Sequence, residues 1–368
     1  MPVERPTPRS QGFRMPAEWS KHEATWISWP KNHLTFPPEV IGEVEGIFAQ
    51  MICALSHGEM VKILVEDDAM RQKVLERSER AGADMHRVLP LMIRSSDVWI
   101  RDYGPSFLLG PGGTKAATKW RFNAWGGKYD DLLYDDVTGD EIARAAGVPI
   151  FRPGIVMEGG SFEVNGQGSA LTTEQCLLNK NRNPELSRRS IERFLEDYIG
   201  ASNIIWLRSG IEGDDTDGHV DDFARFVSDD HVLCAYSQSK TTSNSAVLKA
   251  NQRILMASVD QDGRRLKLAR LPMPKPLWLE GEQRYLPASY ANFYIGNDCV
   301  LLPVFKDRND RKAIVLLENS FPERKVIPIY AAELVYGYGG IHCVTQQEPL
   351  GSGLGALSSA RPVPMHAR

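Results

Sequence analysis

The chain has little of what several common functions require. Lys and Arg number 43 against 47 Asp and Glu, a formal net charge of -4, so no basic field exists to hold nucleic acid. Five cysteines, Cys53, Cys176, Cys234, Cys299 and Cys343, are odd in number and widely spaced, which argues against a disulfide framework and against a CxxC-type zinc site. No apolar run approaches membrane-spanning length, and the opening MPVERPTPRSQGFRMPAEW has no apolar core of a secretory signal; the expectation is a cytoplasmic protein with no membrane partner. No G-x-G-x-x-G follows an early strand, and low-complexity segments are absent. With 42% hydrophobic and 24% charged residues over 368 positions, the composition is that of a globular protein with a large core.

What is present is an alternation of strands and helices. His22 to Pro30 reads as a strand, Pro38 to His57 as a helix, Met60 to Val65 as a strand and Asp67 to Gly82 as a helix. Further helices are expected over Pro184 to Gly200, Asn244 to Val259 and Asp307 to Asn319, with Leu268 to Leu277 as a proline-rich connector. The chain is expected to form one catalytic domain over 1–368, with a loose arm over about 1–14 and a flexible tail over about 351–368.

Within this alternation one arrangement recurs at intervals of roughly sixty residues. Asp102, Glu158, His219 and Asn292 each stand just ahead of a strand that ends in a tight turn, and Cys343 follows its own glycines. Repetition without close identity suggests duplicated supersecondary units about an axis, each giving a polar residue to a common centre. A doubly wound open sheet remains an alternative.

Cys343 sits in Gly339-Gly340-Ile341-His342-Cys343, where the glycines let the backbone present the thiol as a nucleophile. Cys53, Cys234 and Cys299, in apolar runs, and Cys176, in LTTEQCLLN, read as structural. Carboxylates dominate the remaining marked positions: Asp102, Glu158, and the Asp214, Asp215, Asp217 and Asp221 of GDDTDGHVDD. They raise the pKa of a nearby thiol, a handicap that a cationic substrate and a protonated histidine reverse. A guanidinium, planar with five N–H donors, matches such a ring, whereas a neutral amide gains nothing from it.

His219 is the candidate acid and base, with Asp221 two residues on and sharing its face if the segment is a strand, and Glu158 able to hold the second ring nitrogen. His342 would point the opposite way from Cys343 on an extended chain. The Asp214–Asp217 run also reads as a solvated acidic loop or a calcium-binding turn, although the terminal Glu of an EF-hand loop is missing. A zinc site at His219 and Asp221 lacks a third His.

Taken in order, WIRDYGP, MEGGSFEVNGQGSALTTEQCLLNKNRNP, GDDTDGHVDDFARF, SYANFYIGND and GGIHCVTQQEP resemble the agmatine deiminases and the wider peptidylarginine deiminase-like, guanidine-modifying superfamily, over about Met15 to Pro349. The resemblance implies the pentein fold, an α/β propeller of five ββαβ units. It implies Cys343 as nucleophile, His219 as general acid and base, Asp102 and Asp221 as the guanidinium clamp and Glu158 as the residue orienting the histidine. Trp99 resembles an aromatic wall over the substrate, Asp215 the acidic position that meets the distal amine, and Asn292 a site asparagine.

The implied activity is hydrolysis of agmatine to N-carbamoylputrescine and ammonia in putrescine synthesis, with no metal or organic cofactor and in a homo-oligomer. Alternatives are a deiminase of arginine or peptidyl-arginine, or a polyamine-binding relative without turnover. The chain departs from the pattern at Tyr338-Gly339-Gly340-Ile341, where many relatives carry a further glycine and an asparagine.

Overall fold

A computed structural model describes residues 6–238 and 242–352. Its strands fall into five sheets of one plan and a small separate hairpin. In the plan, two strands pair antiparallel across a tight turn, a helical crossover follows, and a third strand returns parallel to the second. Ser106–Leu109, Lys115–Thr118 and Ile150–Phe151 form one such sheet, and Phe162–Val164, Ser169–Thr173 and Asn203–Leu207 the next. Ala224–Ser228, His231–Tyr236 and Lys267–Pro272 form the third, and Tyr294–Ile295, Cys299–Val304 and Lys325–Tyr330 the fourth.

The fifth sheet joins the two ends of the chain. Gln346–Pro349 lies antiparallel to His22–Ser28, which runs parallel to Met60–Val65, itself parallel to Val88–Met92. The ring of units is thereby closed by hydrogen bonds between strands from opposite ends of the described chain. The duplicated units expected from the recurrence, and the five-unit α/β propeller implied by the resemblance, agree with the strand order.

The crossover helices are amphipathic and cover the sheets. Arg188–Ile199 buries Ile191, Leu195 and Ile199 at helical spacing and ends at Gly200, whose φ of 77° is the left-handed conformation a helix stop favours. It starts four residues later than the pattern predicts, because Ser187 is the cap and its side chain accepts from Ser190 N. Pro38–Ser56 carries proline at its first turn and buries Val44, Ile47, Phe48, Met51 and Ile52. Among the described residues no helix is long and apolar enough to cross a membrane.

Two expectations change. Leu268 to Pro272 is not connector but most of the parallel strand of the third unit, its proline tolerated at the strand's last residue. The described part of the N-terminal arm is docked. Arg14 and Leu109 exchange backbone hydrogen bonds of 2.9 and 2.8 Å, and Phe13 meets Phe151 with ring centroids 6.0 Å apart. Met15 enters the core cluster of Leu108, Trp120 and Phe162, so burial of apolar side chains, invisible in a proline-rich string, holds the arm. Residues 1–5 of the expected arm, and 353–368 of the expected tail, lie outside the described residues.

Candidate active site

The repeated plan sets the site. Asp102, Glu158, His219, Asn292 and Cys343 each stand a few residues ahead of the first strand of their unit, so the ring brings five equivalent corners together. All five are buried. Asp102 ends in a one-turn helix, Ile100–Tyr103, whose Arg101 N donates to Cys343 O at 3.1 Å and so ties the carboxylate to the thiol loop.

The expectation that His219 and Asp221 lie on one face of a strand is corrected: Val220–Asp222 is a 3-10 turn with His219 at its cap. The tight turn nevertheless brings both inward. A Cβ placed on Gly160 would stand 2.5 Å from His219 Nδ1, 2.9 Å from Asp102 Oδ1 and 3.2 Å from Asp221 Oδ1. Only glycine can occupy this crossing point, and Gly160 N donates to Asp102 Oδ1 at 3.0 Å.

The thiol of Cys343 lies 4.0 Å from Asp221 Oδ2 and 3.2 Å from Asn292 Nδ2. Asn292 also donates to Asp222 Oδ1 at 2.9 Å, and its Oδ1 accepts from His342 N at 2.9 Å. It is therefore the fastener of the loop that carries the sulfur. His342, expected to point away from Cys343 on an extended chain, lies with it in a turn: its Nδ1 meets Asp221 Oδ2 at 2.6 Å and its Nε2 meets Glu18 Oε2 at 2.7 Å.

Glu158 was expected to hold the imidazole. Its short contact is instead with Arg182 Nε at 2.6 Å, while its other oxygen stands 3.9 Å from His219 Nε2, beyond hydrogen-bond length.

A cavity of about 230 Å³ reaches this corner from solvent. Trp99 and Trp125 wall it, Asp102 and Cys343 lie at its inner end, and Asp215 and Glu282 stand toward the outer end. Trp99 is packed against the nucleophile loop at Gly339, where a Cβ would collide with its ring. Trp125 donates to Asp102 Oδ2 at 2.9 Å and holds a φ of 53°, next to Ala124 at 51°, a strained pair of non-glycine residues of the kind that collects at functional sites. Asp215 accepts from Tyr129 Oη and stands 3.9 Å from Arg284, so its carboxylate is already partnered.

Burial and mutual repulsion shape the charges. Burial, with Asp221 and Glu158 close by, pushes the Asp102 carboxyl up to about 6. Burial, then Asp221 and Asp214, holds Asp222 well above the usual carboxylate range. Burial and the three aspartates Asp221, Asp222 and Asp102 hold the Cys343 thiol well above its ordinary value, so that it rests as S–H. For His219 burial acts downward, but Asp102, with Cys176 and Glu158, outweighs it and raises the imidazole well above its usual range. Burial would raise Asp221 too, yet the hydrogen bond and charge of His342 keep it low.

Two donor sets come within 4.8 Å of one another, Glu158 with Cys176 and His219, and Asp221 with Asp222 and Cys343. Arg182 occupies one oxygen of Glu158, His342 one of Asp221 and Asn292 one of Asp222, so each set is already engaged by protein groups.

Reading the sequence missed Trp125, Arg182, Asp222, Glu282 and Glu18. Arg182 lies within the NKNRNP stretch, but nothing in residue type or spacing marks its guanidinium, or the buried indole N–H of Trp125, as a site partner. Cys176, read as structural, lies against His219.

Residues 14–349 match the sequence profile of the Porphyromonas-type peptidyl-arginine deiminases. The agmatine deiminase of Pseudomonas aeruginosa (strain LESB58) is 37% identical over 366 residues, covering 93% of this chain and 97% of that protein. The solved agmatine deiminase of Enterococcus faecalis superposes with a TM-score of 0.86 at 34% identity, over 94% of this chain and 98% of the other. That of C. jejuni, with substrate bound, gives 0.82 at 28% identity, over 92% and 97%. With the five-unit ring and the thiol, imidazole and carboxylates gathered at its centre, these likenesses show that the chain belongs to the Porphyromonas-type peptidyl-arginine deiminase family.

Proposed function

We propose that this protein is an agmatine deiminase, hydrolysing agmatine to N-carbamoylputrescine and ammonia. The observation that carries the reading is a charge deficit. Asp102, Asp221 and Asp222 are buried beside a thiol, and among the described residues none of them pairs with an arginine or lysine. A cation that fits between Asp102 and Asp221 supplies what the fold leaves out, and a guanidinium does so with matched N–H donors.

Its arrival also removes the handicap on the nucleophile. A positive charge beside Cys343 lowers the thiol pKa, so thiolate forms where substrate is bound. Sulfur then adds to the guanidinium carbon and the C–N bond to one terminal nitrogen breaks. His219 gives that nitrogen its proton, ammonia leaves, and an amidino-thioether remains on Cys343. Water, giving a proton to His219, attacks the same carbon. The C–S bond breaks, the thiol is restored and N-carbamoylputrescine departs. Asp102 and Asp221 hold the planar group throughout, Trp99 covers it, and Asn292 keeps the sulfur loop in place. The S–H proton passes to solvent as the thiolate forms, and the O–H proton of the collapsing tetrahedral intermediate returns to sulfur as the C–S bond breaks.

At the outer end Asp215, with Glu282, faces the distal ammonium of agmatine, which displaces Arg284 from its 3.9 Å approach. Free arginine would bring a carboxylate to the same end, a cost of a few kcal/mol or roughly 10²-fold in kcat/KM.

Ammonia release by the purified protein from agmatine and from arginine tests this directly. Agmatine is expected to be preferred by roughly that factor. Equal turnover, or preference for arginine or an arginyl peptide, overturns the substrate assignment, and absence of release from all three overturns the activity. Mass spectrometry after brief exposure to agmatine should find the amidino adduct on Cys343 alone.

A further inference from the structure

His219 has two polar faces, and the scheme above uses one. Nδ1 looks toward Asp102, 3.7 Å away, and toward the crossing point at Gly160. Nε2 looks into the protein, where it is buried and makes no hydrogen bond among the described residues. Across from it stands Glu158 Oε2, equally buried and equally without a hydrogen bond, at 3.9 Å. Two orphaned groups facing one another at that distance are costly unless something joins them. The thiol of Cys176 is at hand: its sulfur, a ring nitrogen of His219 and a carboxylate oxygen of Glu158 lie within 4.8 Å of one another.

Cys176 is held there by a brace. It sits on the one-turn helix Glu174–Leu177, where its backbone N donates to Thr173 Oγ1 at 3.1 Å. The same hydroxyl donates to Gly218 O at 2.7 Å, one residue before the histidine. Gln175 Oε1 accepts from Gly210 N at 3.0 Å. The turn that carries the thiol and the loop that carries the imidazole are thus fastened at two points. Packing alone would need neither.

We propose that Cys176 is a positioning residue for His219, its sulfur accepting from Nε2–H and its S–H donating to Glu158 Oε2, so that a thiol bridge links carboxylate and imidazole. A thiol is suited to this because it both donates and accepts, and at longer range than oxygen. The bridge fixes the proton of the neutral ring on Nε2 and leaves Nδ1 as the atom that takes a proton from water and returns it to ammonia. Burial, together with the Glu158 charge, raises the Cys176 pKa, so the S–H is present to donate. The groups that face the imidazole are Asp102, Asp221 and Asp222 on the cavity side and Glu158, with its partner Arg182, and Cys176 behind.

This inference rests on His219 acting as acid and base, and its test separates the two. Cys176→Ala and Cys176→Ser are compared with the unaltered protein for kcat and KM toward agmatine across pH, and for thermal midpoint. The His219 titration is followed by NMR of labelled histidine in a Cys343→Ala background, the signal being assigned by its loss in His219→Gln. Cys176→Ala should lower kcat roughly tenfold with KM changed less than about twofold. It should also move the His219 titration and the matching limb of the pH profile to lower pH. Cys176→Ser, which keeps a donor and an acceptor, should recover most of both.

A Cys176→Ala protein with His219 titration and pH profile unmoved overturns the proposal. So does a Cys176→Ser protein no better than the alanine variant at equal thermal midpoint. If no protein releases ammonia from agmatine the activity reading fails, and the NMR titration still decides the role of Cys176.

Discussion

Two buried acidic layers lie one on the other in this molecule, and they are wired differently. In the inner layer Glu18 meets Arg225 Nη2 at 2.9 Å, Arg101 Nη2 at 3.3 Å and His342 Nε2 at 2.7 Å, and accepts from Ile295 N at 2.9 Å. Arg225 serves Glu163 as well, at 3.1 Å. Burial would lift the Glu18 carboxyl, but Arg225, His342 and Arg101 together hold it well below the ordinary carboxylate value. In the outer layer Asp102, Asp222 and Cys343 are equally buried and all three are pushed upward.

His342 touches both layers, meeting Glu18 in the inner one and Asp221 in the outer one. The difference teaches where the ligand belongs. A fold able to neutralise buried carboxylates with its own arginines does so next door and withholds them around the thiol, and that vacancy of charge is what a cationic substrate fills.

The largest effect should come from the sulfur. Cys343→Ser or Cys343→Ala is expected to lower ammonia release by at least about 10³-fold. Because the charge deficit survives, agmatine should still raise the thermal midpoint of either variant, by an amount equivalent to about 2.7 kcal/mol at a hundredfold excess over Kd. A variant that loses both turnover and thermal response would mean the cation site is not where the comparison puts it.

Next comes a matched pair of substitutions across the two layers. Glu18→Gln strips a partner from Arg101 and Arg225 in the interior and should destabilise the protein by about 3–5 kcal/mol in denaturant unfolding. Asp102→Asn removes one of several repelling charges. It should leave stability unchanged or raise it, while kcat/KM for agmatine falls roughly 10²-fold. Equal destabilisation by both substitutions would erase the distinction between the layers.

The pH dependence sharpens it further. Asp102 is raised from 3.8 to about 6 on folding, so between those values the folded chain binds the proton that the unfolded chain has released. Its contribution to stability is therefore complete at low pH and is lost as pH rises through that window. The stability of Asp102→Asn relative to the unaltered protein should grow from about pH 4 to about pH 6 and then level off, as read from thermal midpoints. Bound agmatine, favouring the carboxylate, should stabilise more at pH 8 than at pH 5.

The smallest effect is steric. Gly339→Ala brings a methyl group against the Trp99 ring. The expected outcome is a several-fold rise in KM for agmatine and a loss of about 1 kcal/mol of stability, both measurable without loss of the nucleophile.

Much of the ring could be read beforehand, because strand, turn and helix signals are local. Met60–Val65 falls where the apolar run puts it, and Asp68–Ala81 fills the expected Asp67 to Gly82, with Asp67 as its cap and Gly82 as its stop. Boundaries slipped where a cap outside the apolar pattern decides, as at Ser187. The strand Lys267–Pro272 was obscured by prolines that matter only if an N–H is needed at their position.

The site was legible as a set of residue types at recurring corners, and Asp102, His219, Asp221, Asn292 and Cys343 do converge. Their partners were not legible. Glu18, which no motif marks, becomes the hub for two arginines and a histidine. Glu158 turns to Arg182 rather than making a short bond to the imidazole.

By itself the order of residues determined the recurring strand, turn and helix alternation and the kind of group presented ahead of each first strand, since both follow from short-range periodicity and turn chemistry. Tertiary structure alone decided which carboxylates receive a protein cation and which are left bare, and that a second thiol lies behind the histidine. The reason is that charge pairing in a protein interior depends on distances between residues far apart in sequence and on the water excluded around them, and neither is carried by any local stretch of the chain.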